Sequence, residues 1–396
     1  MGGQTMDSKS VLNERVAAIP PSVTLGVESR AKELTAKGRK IWSFAAGEPD
    51  FDTPEHIKHA AAKALEGGQT KYCPVAGVQA LKDAIVAKLK NENGLVYEAS
   101  QIVISNGAKH SLYNIFMTIC REGEEVIIPS PYWLSYPEMV KMAGGKSVFV
   151  HCSEKNDFKM TPEQFEKAIT PRTKAVIINS PSNPIGNIYS KPELKALADV
   201  ALKHGIYMVS DEIYEKMIYD GSRHVSVAGF SKHAHDMTIT VNGFSKAYAM
   251  TGWRLGYFAA PAPIAKAASA LQSHSTSGPN TFAQYGGIEA LKGPQDCVEK
   301  MVAAFAGRRT YIHERLTSIK GITCVKPSGA FYVLPNISSF GMGSLEFSEK
   351  LLDKASVAVV PGIAFGVDTH VRLSYACSMD SIKEGVDRIE KFVKEL

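Results

Sequence analysis

The sequence predicts an α/β protein: a large domain on a mainly parallel, mixed seven-stranded sheet flanked by helices, plus a smaller α/β domain formed by both chain ends. Three observations predict it. The chain has 396 residues, more than one compact core ordinarily encloses. Through its middle, short apolar runs alternate with helical patterns, as in a sheet with helical crossovers. From Pro294 onward the pattern changes to long helices flanking short strands.

Seven strands are expected, at Gln101–Ser105, Glu125–Pro129, Lys146–His151, Lys174–Asn179, Ile206–Ser210, Met237–Val241 and Arg254–Ala259. Helical patterns lie between them, including Lys109–Cys120, Thr161–Ile169 and Lys191–His204. Thr161-Pro162-Glu163 and Ser190-Lys191-Pro192-Glu193 are helix starts, because a hydroxyl caps free N–H groups and proline suits the first turn. In the last third, helices Pro294–Ser318 and Leu345–Ala355 flank strands Phe331–Leu334, Ala358–Val360 and Val371–Tyr375. The expected division is 1–55 as an N-terminal segment joining the small domain, 56–295 as the large domain, and 296–396 as the small C-terminal domain.

Composition narrows the function. Hydrophobic residues are 44% and charged residues 21%, as in ordinary globular proteins. No apolar run approaches the ~18–20 residues that cross a bilayer, so no membrane role is expected. The net charge of +5 is spread thinly, with no basic run or finger spacing to suggest nucleic acid. Cysteines 73, 120, 152, 297, 324 and 377 form no C-x-x-C pair, so no metal site is expected and a reducing cytoplasm fits. Residues 1–10 lack a secretory core, and Met6 stands where a myristoylation pattern needs Ser or Thr. Met6 is also a second candidate start.

The unusual residues gather just after expected strands, where open parallel sheets bind ligands. Gln101–Ser105 runs into Asn106-Gly107-Ala108-Lys109, small residues at a helix start that suit an anion, or an ordinary tight turn. Ile206–Ser210 ends at Asp211-Glu212-Ile213-Tyr214; Asp211 is either a buried carboxylate needing a partner or a helix cap. Met237–Val241 leads to Lys246, set among small and aromatic residues eight positions before Arg254. A lone lysine is ordinarily a solvated charge, but desolvation beside a cation lowers its pKa and frees its lone pair for imine chemistry.

Ser245-Lys246-x₇-Arg254, within S-K-A-Y-A-M-T-G-W-R-L-G-Y, closely resembles the lysine motif of class I pyridoxal-phosphate aminotransferases. Further family blocks follow in order: Ala46–Phe51, Asn106–Lys109, Pro131-Tyr132-Trp133, Asn183-Pro184-x-Gly186, Asp211–Tyr214 and Arg372–Tyr375. The resemblance spans residues 12–395 and is strongest to aspartate aminotransferases of bacterial and archaeal type.

The resemblance implies roles. Lys246 carries pyridoxal 5′-phosphate as a Schiff base and moves the substrate's Cα proton. Asp211 pairs with the pyridinium nitrogen. Asn183 and Tyr214 bond the ring's phenolic oxygen, and Trp133 stacks on its face. Asn183 is otherwise a turn former, and Trp133 an ordinary core aromatic. Gly107, Ala108, Ser245 and Arg254 hold the phosphate, and Tyr72 reaches it from a second subunit of a homodimer. Arg372 clamps the substrate α-carboxylate near Gly47, a task suited to a guanidinium fork; its alternative is a surface residue on an edge strand. Lys109 reads the side-chain carboxylate, or is a solvated first-turn lysine.

The implied reaction is ping-pong: L-aspartate leaves as oxaloacetate, and 2-oxoglutarate becomes L-glutamate. Pro20 stands where prephenate-accepting members carry a basic residue, and Ile185 replaces the usual threonine of N-P-T-G, which is expected to loosen the turn presenting Asn183. Aromatic, alanine or prephenate transamination and a lyase or decarboxylase on the same fold are the alternatives. A regulator lacks room for a DNA-binding module before Ala46. A nicotinamide dehydrogenase lacks a G-x-G-x-x-G after a strand.

Overall fold

The computed structural model describes residues 12–396; the start at Met6 and the myristoylation reading lie outside these residues. The seven expected strands form one sheet. In chain order they are β1 (Ile102–Ser105), β2 (Glu125–Ser130), β3 (Lys146–His151), β4 (Thr173–Asn179), β5 (Tyr207–Asp211), β6 (Thr238–Gly243) and β7 (Gly256–Ala259). Their spatial order is β1-β7-β6-β5-β4-β2-β3. Only β7 runs against its neighbours, β1 and β6, so the sheet is mixed but mainly parallel.

Side-chain alternation splits β4 between two cores. Ala175 and Ile177 pack with Leu112, Ile115 and Phe116 of helix Ala108–Ile119, whereas Val176 and Ile178 face Leu194, Leu197 and Ala201 of helix Lys191–Lys203. The interior strands β2 and β4 hold continuous apolar runs, Val126–Ile128 and Ala175–Ile178, buried on both faces. The edge strand β3 is more exposed and carries Lys146 and His151. The expected helix starts form as reciprocal capping boxes: Thr161 with Gln164, and Ser190 with Glu193.

The C-terminal third holds a three-stranded antiparallel sheet: β8 (Tyr332–Val333), β9 (Val360–Pro361) and β10 (Val371–Ser374), with β10 in the centre. The single strand expected at Ala358–Val360 is instead two. Val357–Ala358 pairs in parallel with Trp42–Ser43, and the chain then crosses to β9. The helices Asp296–Thr317 and Met379–Lys394 pack on these strands through Phe305, Ile312, Ile382 and Val386. Among the described residues, no helix is long and apolar enough to cross a membrane.

Candidate active site

Parallel strands put their carboxyl ends on one edge of the sheet. There β4 ends at Asn179, β5 at Asp211 and β6 at Gly243, beside the turn that follows β1. A cavity of about 500 Å³ opens at this edge and extends to β10. It is lined by Gly47, Ala108, Lys109, Trp133, Asn183, Asp211, Tyr214, Ser245, Lys246, Arg254 and Arg372. Gly107 adjoins it through Arg254. Of the expected residues, Tyr72 alone lies elsewhere: it is 94% exposed, in a shallow depression with Cys73, Thr276 and Phe282.

Lys246 follows β6 and points into the cavity, donating to the Gly47 carbonyl. Burial pulls its amine down to about 8; Glu48 opposes this, while Arg372 and Arg254 reinforce it. Asp211 is buried at the end of β5. Desolvation pushes its carboxyl up to about 6, against hydrogen bonds that favour the anion. Oδ2 accepts from the Tyr136 hydroxyl at 2.6 Å and Oδ1 from the Ile213 N–H at 3.3 Å. Asp211 does not cap a helix, because the chain turns irregularly after β5.

Gly107, at φ +84°, precedes the helix starting at Ala108. A Cβ on Gly107 would lie 2.6 Å from an Arg254 nitrogen, and one on Gly256 would lie 2.3 Å from the Ala108 nitrogen. Both positions need glycine so that helix start and guanidinium can converge. Among the described residues, Arg254 donates only to the carbonyls of Thr251 and Asn106. A cation without a carboxylate partner beside free helix N–H groups is the donor set for a phosphate.

Arg372 is no surface residue. It is 2% exposed on the central strand of its sheet. One guanidinium nitrogen donates to Asn183 Oδ1 at 3.1 Å and the other to the Ala45 carbonyl at 2.8 Å, while buried Nε has no partner. Its Cζ lies 4.5 Å from the Tyr332 ring centre and 5.0 Å from that of Phe365. The turn presenting Asn183 carries Ile185. That side chain is buried among Ile178, Tyr189 and Leu334, and the Asn183 N–H donates to Asn179 Oδ1 at 2.9 Å. Apolar packing takes the place of the missing hydroxyl. Lys109 is an exposed residue of the first helical turn whose ammonium lies 5.0 Å from the Trp133 ring centre at the cavity wall; desolvation, then Arg254, lower its pKa.

Two contributors were missed. Tyr136 stands three residues after Trp133, one helical turn, a spacing that could have revealed it. Tyr332 lines the cavity and places its hydroxyl 2.9 Å from that of Tyr214, yet it read only as part of a strand. Behind Asp211, Glu212, Glu215 and His224 approach closely enough to suggest a metal site. These carboxylates are already engaged. Glu212 accepts from His224 at 2.8 Å and Ser226 at 2.6 Å, and Glu215 pairs with buried Lys88.

Comparison with known proteins agrees with this geometry. The aspartate aminotransferase of Geobacillus stearothermophilus is 52% identical over 388 residues, covering 97% of this chain and 99% of that protein. A probable aspartate/prephenate aminotransferase of Aquifex aeolicus is 48% identical over 390 residues, with 97% and 99% covered. The structure of Thermus thermophilus aspartate aminotransferase with maleate matches at TM-score 0.93 and 45% identity, covering 96% of this chain and 99% of that one. Residues 39–389 match the family model for aminotransferase class I and II, and the chain belongs to that family, whose cofactor is pyridoxal 5′-phosphate.

Proposed function

We propose that this enzyme is an aspartate aminotransferase, passing the amino group of L-aspartate to 2-oxoglutarate in two half-reactions. One observation carries the reading: Arg372 and Lys109, two cations without carboxylate partners among the described residues, line the same cavity as Lys246 and Asp211. Relatives about half identical over nearly the whole chain are named for aspartate, and the Thermus protein was solved with maleate, a dicarboxylate.

When bound, pyridoxal phosphate supplies an aldehyde to hold the amino group and a protonated ring that draws electrons from the substrate Cα. Lys246 would hold the cofactor, Asn183 and Tyr214 would bond the ring's phenolic oxygen, and Trp133 would pack on its face. The buried Asp211 carboxylate keeps a proton on the ring nitrogen. Gly107, Ala108, Ser245 and Arg254 cradle the phosphate. Arg372 takes the α-carboxylate beside Gly47 with a planar fork that lysine cannot reproduce. Lys109 takes the distal carboxylate. Lys246 Nζ accepts the Cα proton; with its pKa near 8, a useful fraction is neutral at physiological pH.

The exposed Tyr72 serves the phosphate of a second copy, which makes the enzyme a homodimer with shared sites. We place it in the cytoplasm, consistent with six unpaired cysteines. Residues 56–295 form the cofactor-binding domain, and 1–55 join 296–396 in the smaller one.

The test is a substrate screen on wild type and Lys109→Ala. A charge-assisted hydrogen bond is worth about 1.5–3 kcal/mol, so kcat/KM for aspartate falls roughly 10- to 150-fold while alanine and aromatic substrates change little. Equal losses on all substrates contradict the role of Lys109. Alanine and CO₂ formed from aspartate, in place of oxaloacetate, contradict transamination. Prephenate belongs in the same screen, because the Aquifex relative is named for it.

A further inference from the structure

We propose that Tyr332 is a positioning residue that couples the carboxylate clamp to the tyrosine facing the cofactor: its ring seats the Arg372 guanidinium, and its hydroxyl donates to Tyr214. The inference rests on the roles given above to Arg372 and Tyr214.

The backbone sets the arrangement. Tyr332 lies on β8, directly paired with Ser374 of β10, two residues beyond Arg372. It is fully buried, and its ring forms one wall of the slot that holds the guanidinium, with Phe365 as the other. Its hydroxyl is confined as well. A Cβ added to Gly47 would come within 3.3 Å of it, and the Tyr214 hydroxyl lies 2.9 Å away. One side chain thus touches the arginine clamp, the glycine backbone at the substrate carboxylate, and the tyrosine aimed at the ring.

The direction of the hydroxyl–hydroxyl bond decides what Tyr214 can do. If Tyr214 donates to Tyr332, its proton is spent; if it accepts, the proton is free to face the cavity. The groups facing Tyr332 are the Arg372 cation, Tyr214 and, more distantly, the Glu48 carboxylate. Those facing Tyr214 are Tyr332, Arg372 and the Asp211 carboxylate, with the Lys246 ammonium 5.8 Å from its ring centre. Arg372 packs directly on the Tyr332 ring and favours negative charge at its oxygen, which makes Tyr332 the better donor. Tyr332 therefore donates to Tyr214, and Tyr214 keeps its own proton for the ring's phenolic oxygen.

The test uses the pyridoxal-phosphate-loaded enzyme and three variants: Tyr332→Phe, Tyr332→Met and Tyr214→Phe. The first readout is the pH midpoint of the visible absorbance change of the lysine-bound cofactor. Donors to the phenolic oxygen stabilise its anionic form and keep that midpoint low. Tyr214→Phe raises it. Tyr332→Phe raises it in the same direction by a smaller amount, about half a unit, and lowers kcat more than it raises the KM for aspartate. Tyr332→Met removes the ring wall too, and raises that KM about tenfold further. An unmoved midpoint in Tyr332→Phe, with Tyr214→Phe shifted, overturns the hydroxyl relay while leaving the site assignment standing. An unmoved midpoint in Tyr214→Phe overturns the assignment of Tyr214 itself, and the relay falls with it. An unchanged KM in Tyr332→Met overturns the seating of Arg372.

Discussion

At the scale of single residues, burial acts with opposite sign on the two groups at the centre of the site. It lowers the Lys246 amine to about 8 and raises the Asp211 carboxyl to about 6. Around pH 7 Asp211 is therefore ionised, and Lys246 is close enough to its pKa to supply a lone pair. The rate at which cofactor-free protein takes up pyridoxal phosphate should rise with pH through about 8 and then level; a flat profile between pH 7 and 9 would contradict it. Borohydride should label the loaded wild type at Lys246 but not Lys246→Ala, whose turnover should fall at least ~10⁴-fold. The same shifts act on stability. The unfolded chain holds the Lys246 proton up to its ordinary 10.5, so stability attributable to this group rises between about pH 8 and 10.5. For Asp211 the sign reverses, and its contribution falls as pH rises from 3.8 to about 6. Lys246 was legible because its sequence neighbours are small and aromatic. Tyr332 was not, because what makes it notable, Arg372 and Tyr214, lies 40 and 118 residues away.

At the scale of elements, strand ends do the positioning. β4, β5 and β6 stop at Asn179, Asp211 and Gly243, and their parallel pairing brings these carboxyl ends and the loops beyond them together. What holds the loop after β5 is a buried ionic network. Lys88, closing helix Gln79–Lys88, pairs with Glu215, while Asn93 bonds both Glu215 and Ser226 at 2.9 Å. Burial alone would raise Glu215, but Lys88 and His224 outweigh it and hold the carboxyl near 2. That stabilisation is present above the ordinary 4.5 and is lost as pH falls toward 2. Removing one partner strands a buried charge, so Lys88→Met should cost about 3–5 kcal/mol in urea unfolding, and Lys88→Met with Glu215→Leu should recover much of it. Additive losses in the double variant would show that the pair does not act as a unit. The network escaped the sequence reading because Lys88 looks like any helix-ending lysine until the fold sets Glu215 beside it.

At the scale of the whole molecule, the question is whether one chain makes one site. The cavity holds twelve of the thirteen expected residues when Gly107 is counted at its rim, and Tyr72 stands outside in solvent. If Tyr72 completes a neighbour's site, Lys246→Ala and Tyr72→Ala are defective in different halves of a shared site. Refolding the two together should then regenerate one intact site per mixed dimer, or about a quarter of wild-type activity. Activity no higher than the average of the separate variants would show that Tyr72 does not act across an interface.

By itself the sequence determined the α/β class, the seven strands and their order along the chain, and singled out the lysine, the carboxylate and the glycine turn that the fold brings to one cavity. These depend on side-chain periodicity and short motifs, which are local. Only the tertiary structure decided that Arg372 is buried against two aromatic rings on a central strand, that Tyr136 and Tyr332 line the cavity, and that Ile185 is packed in an apolar cluster. Each is a matter of which surfaces meet once distant segments fold together, and a side chain's local pattern is the same whether its partner is water, a ring or a charge.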